Sequence, residues 1–228
     1  MVTLPWDEIH SVFLDMDGTL LDLHFDNHFW QHHLPLRYAE KHGMSKEAAL
    51  DELNPRFRAA EGSLDWYSVD YWESELEMDI VGLKQEVAHL IDVFPYVPEF
   101  LDSVRSHGKR VVLVTNAHAR SLELKMERTA LGGHFDHIYT SHEFHAPKES
   151  HEFWQRLQAV EAFQSEHTLM IDDTLSVLRS ARAYGIAHLL AVKRPDSRAA
   201  ERDTREFPAI GSFREITPPI PETVRPIS

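Results

Sequence analysis

Two aspartates one residue apart, Asp15 and Asp17, close a continuous apolar run and are followed at once by Gly18 and Thr19. The run, Val12-Phe13-Leu14, has the character of a strand buried on both faces of a parallel sheet. Alternate residues of a strand share a face, so both carboxylates can point toward one place where the strand stops. In open α/β sheets, ligands bind at the carboxyl ends of the strands. Two acids held together repel unless a cation lies between them, and hard, oxygen-seeking Mg²⁺ suits such a pair. Gly18 allows a sharp turn at positive φ, and Thr19 adds a hydroxyl at the same mouth. The same residues would also serve as a strand followed by a plain Asp-Gly turn, so downstream features must decide.

Three such features follow. Thr115-Asn116 ends the apolar run 111–114; a hydroxyl, an amide and a following helix N-terminus make a cradle for phosphate oxygens, or simply a turn or helix cap. Lys148 lies in Ala146-Pro147-Lys148-Glu149, a loop before a helix, where a lone lysine is ordinarily solvated surface. Asp172-Asp173 ends the run that starts at Thr168; one acid capping the next helix is routine, two in succession are less so. Taken together, Asp15, Asp17 and Asp172 supply acids around a metal, and Thr115, Asn116 and Lys148 supply donors for a phosphoryl group.

The elements that must position these residues read as an alternation. Helices are expected at 96–107, 120–131, 151–163 and 176–184, the first closed by Gly108, the second by Gly132-Gly133 and the last by Gly185. Strands are expected at 110–116, 138–140, 168–172 and 188–192, the last clear one. Strands separated by helices of this length form a right-handed parallel sheet. Residues 22–92 differ, with helical periods and no convincing strand. Phe25, Phe29, Trp30 and His33 fall at helical spacing, with Pro35 expected to kink or end that helix, and Ser45-Lys46-Glu47-Ala48 has the shape of a helix start. Trp66, Val69, Trp72 and Leu76 form another stripe. The expected organisation is an α/β, Rossmann-like parallel core built from 1–21 and 93–216, a helical cap at 22–92 inserted after the first strand, and a proline-rich tail at 217–228, extended or disordered.

The ordered set DMDGT, Thr115-Asn116, Lys148 and Asp172-Asp173 resembles the four signature motifs of the haloacid dehalogenase-like hydrolase superfamily, over residues 10–195. The resemblance implies a Rossmann-like core, a Mg²⁺ ion and a helical cap after the first strand. It also implies roles. Dehalogenases of the superfamily lack an acid at the position of Asp17, whereas phosphatases and phosphomutases have one. Asp15 would be the nucleophile, and Asp17 would protonate the leaving alkoxide and then activate water on the aspartyl-phosphate. Asp15, Asp172 and the Asp17 carbonyl would hold the metal, Lys148 would stabilise the same charge, and Asp173 would orient metal-bound water or Lys148. A closer resemblance, to bacterial purine 5′-nucleotidases acting on GMP and IMP, rests on residues 15–30, on Leu64-Asp65-Trp66-Tyr67 with Asp70-Tyr71-Trp72, on Thr115-Asn116-Ala117-His118 and on Pro147-Lys148-Glu149. Glu149 departs from the proline that many superfamily members carry after the lysine. Asn27, Trp66 and Tyr67 are candidate substrate contacts, although aromatics at helical spacing also serve as cap core. His118 is poised either to reach the site or to start a helix. Sugar-phosphate phosphatases and phosphomutases share every core motif, and a non-catalytic metabolite-binding module is the alternative outside enzymes.

Composition bounds the setting. The 228 residues hold 37 acids, 23 lysines and arginines and no cysteine, for a formal charge of −14. That balance disfavours nucleic acid or an anionic membrane as the main partner, and the absence of cysteine excludes disulfides and fits a reducing, cytoplasmic setting. The first ten residues lack the basic start of a signal peptide, and no apolar run approaches the roughly 18 residues of a membrane span. A small-molecule phosphomonoester, as a nucleoside monophosphate, is the expected partner. His24, His28 and His32 recur at a spacing able to chelate a transition metal, but no neighbouring HExxH or cysteine set supports a site there, and a solvated face is the expectation.

Overall fold

The computed structural model describes residues 2–219. Its centre is a six-stranded, wholly parallel sheet of β1 (Ser11–Leu14), β2 (Arg110–Thr115), β3 (His137–Thr140), β4 (Thr168–Asp172), β5 (His188–Val192) and β6 (Ala209–Ile210), in the order β3-β2-β1-β4-β5-β6. The sequence pattern anticipates five of these; β6 is two residues long, too short to show an alternation. Every residue of β1 and β4 is buried, as the unbroken apolar runs require of central strands covered on both sides. Alternate residues divide between two cores. Val12, Leu14, Val111 and Leu113 join Phe100 and Val104 on one face, while Phe13, Val112, Val114 and Met170 join Phe153, Trp154 and Leu178 on the other.

Those cores are closed by α-helices. Before the second strand come α1 (His24–His28), α2 (Leu34–His42), α3 (Lys46–Ala60), α4 (Leu64–Tyr67), α5 (Val69–Leu76) and α6 (Ile80–Glu86). After them come α7 (Val97–Ser106), α8 (Ala119–Thr129), α9 (His151–Val160) and α10 (Leu175–Tyr184). Gly185 ends α10 at φ 108°, a conformation open to glycine at no steric cost. The expected glycine stop of α8 is not used. Ala130 takes the left-handed turn at φ 57°, and the chain folds back so that Leu131 is buried before Gly132-Gly133 is reached.

Helices α1 to α6 form an insertion between β1 and β2, with a core of their own that includes Phe25, Phe29, Leu53, Trp72, Leu76 and Ile80. Its two connecting strands run side by side: Phe94 N–H donates to Leu20 C=O, and Asp22 N–H donates to Asp92 C=O, each at 2.9 Å. Ser45 caps α3 by accepting from Ala48 N–H, as its local sequence predicts. Pro35, by contrast, neither ends nor breaks its helix. The residues before it, Phe29–His33, form a π-helical turn that re-spaces the carbonyls ahead of the proline ring, and the helix continues as α2 to His42. Of the proline-rich end, Thr217 donates its hydroxyl to Phe213 C=O, and residues 220–228 lie outside the described chain.

Candidate active site

Register brings the functional residues together. Leu14 pairs with Leu113 on one side and Ile171 on the other, so the next residue on each strand, Asp15, Val114 and Asp172, arrives at one level. Asp15 N–H donates to Ile171 C=O at 3.0 Å, which fixes the strand where its carboxylate emerges. Lys148, from the loop before α9, crosses above Val114. Its ammonium donates to Asp15 Oδ1 at 2.5 Å, to Asp172 Oδ2 at 2.7 Å and to the Val114 carbonyl at 3.1 Å. All three of its hydrogens are therefore engaged by protein acceptors. Trp154 Nε1 in turn donates to the Lys148 carbonyl at 3.0 Å, anchoring the loop to α9. Burial would lower the Lys148 ammonium, but the Asp15 and Asp172 carboxylates outweigh it and hold the group charged.

Asp15, Asp172 and Asp173 each offer a carboxylate oxygen within 4.8 Å of the others, and all three are buried. Burial drives Asp172 well above the usual carboxylate range and carries Asp173 to about 7, with the Asp15 charge adding to it. Asp173 accepts from Arg202 at 2.9 Å, and its backbone N–H donates to Thr19 Oγ1 at 3.1 Å. The turn that makes this packing possible is Gly18, at φ 85°, where a Cβ would lie 2.8 Å from Asp173 Cγ. Three hard oxygen donors, buried and mutually repelling, are the chemistry that a divalent cation such as Mg²⁺ relieves, and the residues fit that ion. Among the described residues only this set brings three ligating atoms so close, and the His24–His28–His32 row does not. The histidine rings follow one another along the helix at 6.0 and 5.6 Å between centroids.

The residues expected to act as catalytic groups, phosphate donors or substrate contacts, together with Asp173, line one cavity of about 640 Å³; Asp172 does not, being buried against Lys148, and Thr19 is fully buried away from it. Thr115 Oγ1 accepts from Ala117 N–H, which leaves its O–H to donate. The Asn116 side chain accepts from Lys148 N–H and donates to Glu149, which leaves one amide hydrogen. Tyr67 donates its hydroxyl to the other oxygen of Glu149, and Asn27 donates to Asp196 Oδ2 at 2.7 Å. Trp66 packs against Trp30, Phe57 and Trp72, with its carbonyl taken by Trp72 Nε1, and is half-buried on the cavity wall. His118 caps α8 and stands 3.5 Å from Asp70 and edge-on to His142.

Sequence reasoning missed five charged groups that line the same cavity: Asp26, Glu61, Lys84, Lys125 and Arg202. Lys125 donates to both Asp17 Oδ1 and Asp26 Oδ2 at 2.7 Å, and Lys84 donates to Asp26 Oδ1 at 2.9 Å. Burial raises Asp17 to about 6 against the opposing pull of Lys125. The only trace of Lys125 in the sequence is its i, i+4 spacing from Ser121, beside the Leu122–Met126 stripe; both members of that row are buried.

A parallel sheet with β1 at its centre, a helical insertion directly after it, and acids at the ends of β1 and β4 define a class. The chain belongs to the haloacid dehalogenase-like hydrolase family, whose pattern matches residues 12–191. It is a hydrolytic enzyme of that family. The chain is 34% identical over 217 residues to the GMP/IMP nucleotidase YrfG of Escherichia coli (strain K12), covering 95% of this chain and 98% of that one. Among solved structures, the HAD phosphatase from Thermococcus onnurineus superposes with a TM-score of 0.74 at 21% identity, covering 91% of this chain and 95% of that one. The L-2-haloacid dehalogenase from Xanthobacter autotrophicus shares the fold at a TM-score of 0.56 and 14% identity, over 82% of this chain and 78% of that one. Dehalogenase and phosphatase thus share this backbone, and side chains must separate their chemistries.

Proposed function

We propose that the protein is a Mg²⁺-dependent phosphomonoesterase that works through an aspartyl-phosphate on Asp15 and takes purine nucleoside monophosphates, GMP and IMP, as substrates. The observation that carries this reading is the joint placement of Asp15 and Asp17 on one cavity, with Lys148 and the Asp15–Asp172–Asp173 cluster at its floor. The Asp15 carboxylate attacks phosphorus, and Asp17 gives its proton to the departing 5′-oxygen. Asp17 then removes a proton from water, which attacks the phosphoryl group and frees Asp15. The Thr115 hydroxyl and the remaining Asn116 amide hydrogen bind the equatorial oxygens. Lys148 keeps Asp15 oriented and shares its donors with an incoming phosphoryl oxygen. Asp15, Asp172 and the Asp17 carbonyl would hold the metal, with Asp173 beside them; when bound, Mg²⁺ supplies the positive charge that lets a carboxylate approach a phosphate dianion.

The nucleotidase part of the reading is supported by the likeness to YrfG over nearly the whole of both chains, insertion included. We assign residues 22–92 as the cap that chooses the substrate, over a core of 1–21 and 93–216, with Asn27, Trp66 and Tyr67 of the cap and His118 of the core as its substrate contacts. The substrate is a small molecule rather than nucleic acid or membrane, and the setting is the cytoplasm. No helix among the described residues is long and apolar enough to cross a bilayer.

A phosphate-release panel with Mg²⁺ tests the assignment. GMP and IMP should exceed AMP, and all three should exceed ATP, whose extra charge crowds a covered site. Glucose 1-phosphate, glucose 6-phosphate and phosphoglycolate complete the panel. If any of these leads in kcat/KM by tenfold, about 1.4 kcal/mol of transition-state preference, the nucleotidase assignment fails while the phosphatase remains. No release from any member would favour a metabolite-binding module.

A further inference from the structure

Two lysines and two aspartates alternate in a row, the lysines buried and the aspartates half-buried, that crosses the seam between the sheet body and the helical insertion. Asp17 follows β1, Lys125 lies on α8, Asp26 on α1 and Lys84 on α6, so two members come from each side. The contacts run Asp17 Oδ1 to Lys125 Nζ at 2.7 Å, Lys125 Nζ to Asp26 Oδ2 at 2.7 Å, and Asp26 Oδ1 to Lys84 Nζ at 2.9 Å. The lysine side chains are 1% and 4% exposed. Aromatic faces bound the row as well. Lys84 Nζ lies 4.8 Å from the Phe29 ring centroid, and Lys125 Nζ lies 5.3 Å from that of Phe25.

Alternation of sign makes such a burial tolerable, since each charge has an opposite neighbour and the row is neutral overall. A neutral buried row in a large core would need no explanation, but this one ends on the carboxylate assigned as the proton donor. Lys125 engages only Oδ1 of Asp17, and no protein donor among the described residues contacts Oδ2. The Asp17 carboxylate is thereby held by one oxygen, and the residue lines the cavity.

We propose that Lys125 is a positioning residue for Asp17, and that Asp26 and Lys84 on the insertion hold Lys125 in place, so that the orientation of the acid depends on the insertion being packed against the sheet. The proposal rests on the reading of Asp17 as the proton donor given above. It assigns to Asp26 and Lys84 a role in the reaction step, beyond holding two parts of the chain together. A misoriented acid should matter in proportion to how much the leaving group needs a proton. An alkoxide leaving from a nucleoside monophosphate needs one, and the p-nitrophenolate leaving from p-nitrophenyl phosphate does not.

The test compares single-turnover phosphoryl transfer from GMP and from p-nitrophenyl phosphate in the full chain with Mg²⁺, for Lys125→Met, Lys125→Arg and Asp26→Asn. Expected for Lys125→Met is a fall of at least 30-fold with GMP and of less than fivefold with the aryl ester. Lys125→Arg, which keeps a donor for both carboxylates, should recover much of the GMP rate. Asp26→Asn leaves Asp17 and Lys125 in place and should show the same leaving-group dependence in weaker form. Equal losses on both esters would overturn the proposal and leave Lys125 a structural residue. If Lys125→Met does not fold, Asp26→Asn decides alone, and an unchanged ratio of the two rates in that variant would overturn it. Should wild type form no phosphoenzyme from either ester, the underlying reading of Asp15 fails instead, which is a separate result.

Discussion

Tyr67 on α4 of the insertion and Glu149 in the loop after β3 meet at 3.0 Å, the tyrosine hydroxyl donating to Oε1. The other oxygen of Glu149 accepts from Asn116 Nδ2 at the same distance, and Asn116 accepts from the Lys148 backbone N–H. One carboxylate therefore ties the insertion to Asn116 and, through it, to Lys148, two of the three residues expected to bind phosphate. Burial and the neighbouring Glu149 charge both raise the Tyr67 phenol, so the hydroxyl keeps its proton and remains the donor. Tyr67→Phe removes that donor and leaves the ring. The expected cost is about 1 kcal/mol, the worth of one hydrogen bond. Steady-state kinetics should show it as a rise of about fivefold in KM with kcat nearly unchanged. A loss confined to kcat would contradict this role.

Asp15→Asn keeps the shape of the nucleophile and removes its attacking charge. Turnover should fall by about 10³-fold or more, the scale seen when a covalent nucleophile is lost. The fold should hold, because Lys148 keeps its contacts to Asp172 and Val114. Phosphate release and thermal melting by circular dichroism measure the two outcomes separately. Near-normal release from the folded variant would exclude Asp15 as nucleophile.

Gly18→Ala tests the turn that packs Asp173 beside Asp15. An alanine at φ 85° meets left-handed strain of about 1–2 kcal/mol, and its Cβ falls 2.8 Å from the Asp173 carboxyl. The chain must move that carboxylate or distort the turn. A lowered melting temperature together with a weaker response to Mg²⁺ is expected. A variant that loses stability but keeps its full Mg²⁺ response would show that Asp173 does not contribute to the metal site.

Metal binding and pH should be linked through the acid cluster. Asp173 rises from its ordinary 3.8 to about 7 on folding, and Asp172 shifts in the same direction, because burial and like charges disfavour ionisation. In the metal-free protein these raised groups add stability at low pH, and it is lost as pH climbs from the ordinary carboxylate range through about 7. Mg²⁺ competes with those protons, so its stabilising effect must grow over the same interval. Melting curves with and without 5 mM Mg²⁺, roughly physiological excess over a weak site, should differ by about 3 °C more at pH 7.5 than at pH 5.5. Equal shifts at both pH values would mean that the ion binds elsewhere.

What the sequence determined by itself is the core and its chemistry. Apolar runs long enough to be central strands each end in a polar residue, so β1, β2 and β4 could be located together with Asp15, Thr115 and Asp172 at their ends. That information is local, because strand periodicity and the residue that follows it are read within a few positions. The helical character of residues 22–92 was legible for the same reason, whereas the two-residue β6 and the π-helical turn before Pro35 were not, being defined by pairing and carbonyl spacing that leave no period. Tertiary structure alone decided how charges pair. Lys148 reaches Asp15 across 133 positions and Lys125 reaches Asp26 across 99. A lysine on a helix beside an apolar stripe reads as solvated in any sequence, since solvation is the cheapest fate for an ammonium group. Only when the insertion packs on the sheet do Asp17 and Asp26 arrive on either side of Lys125, and the low dielectric there turns an ordinary surface residue into a buried counter-ion.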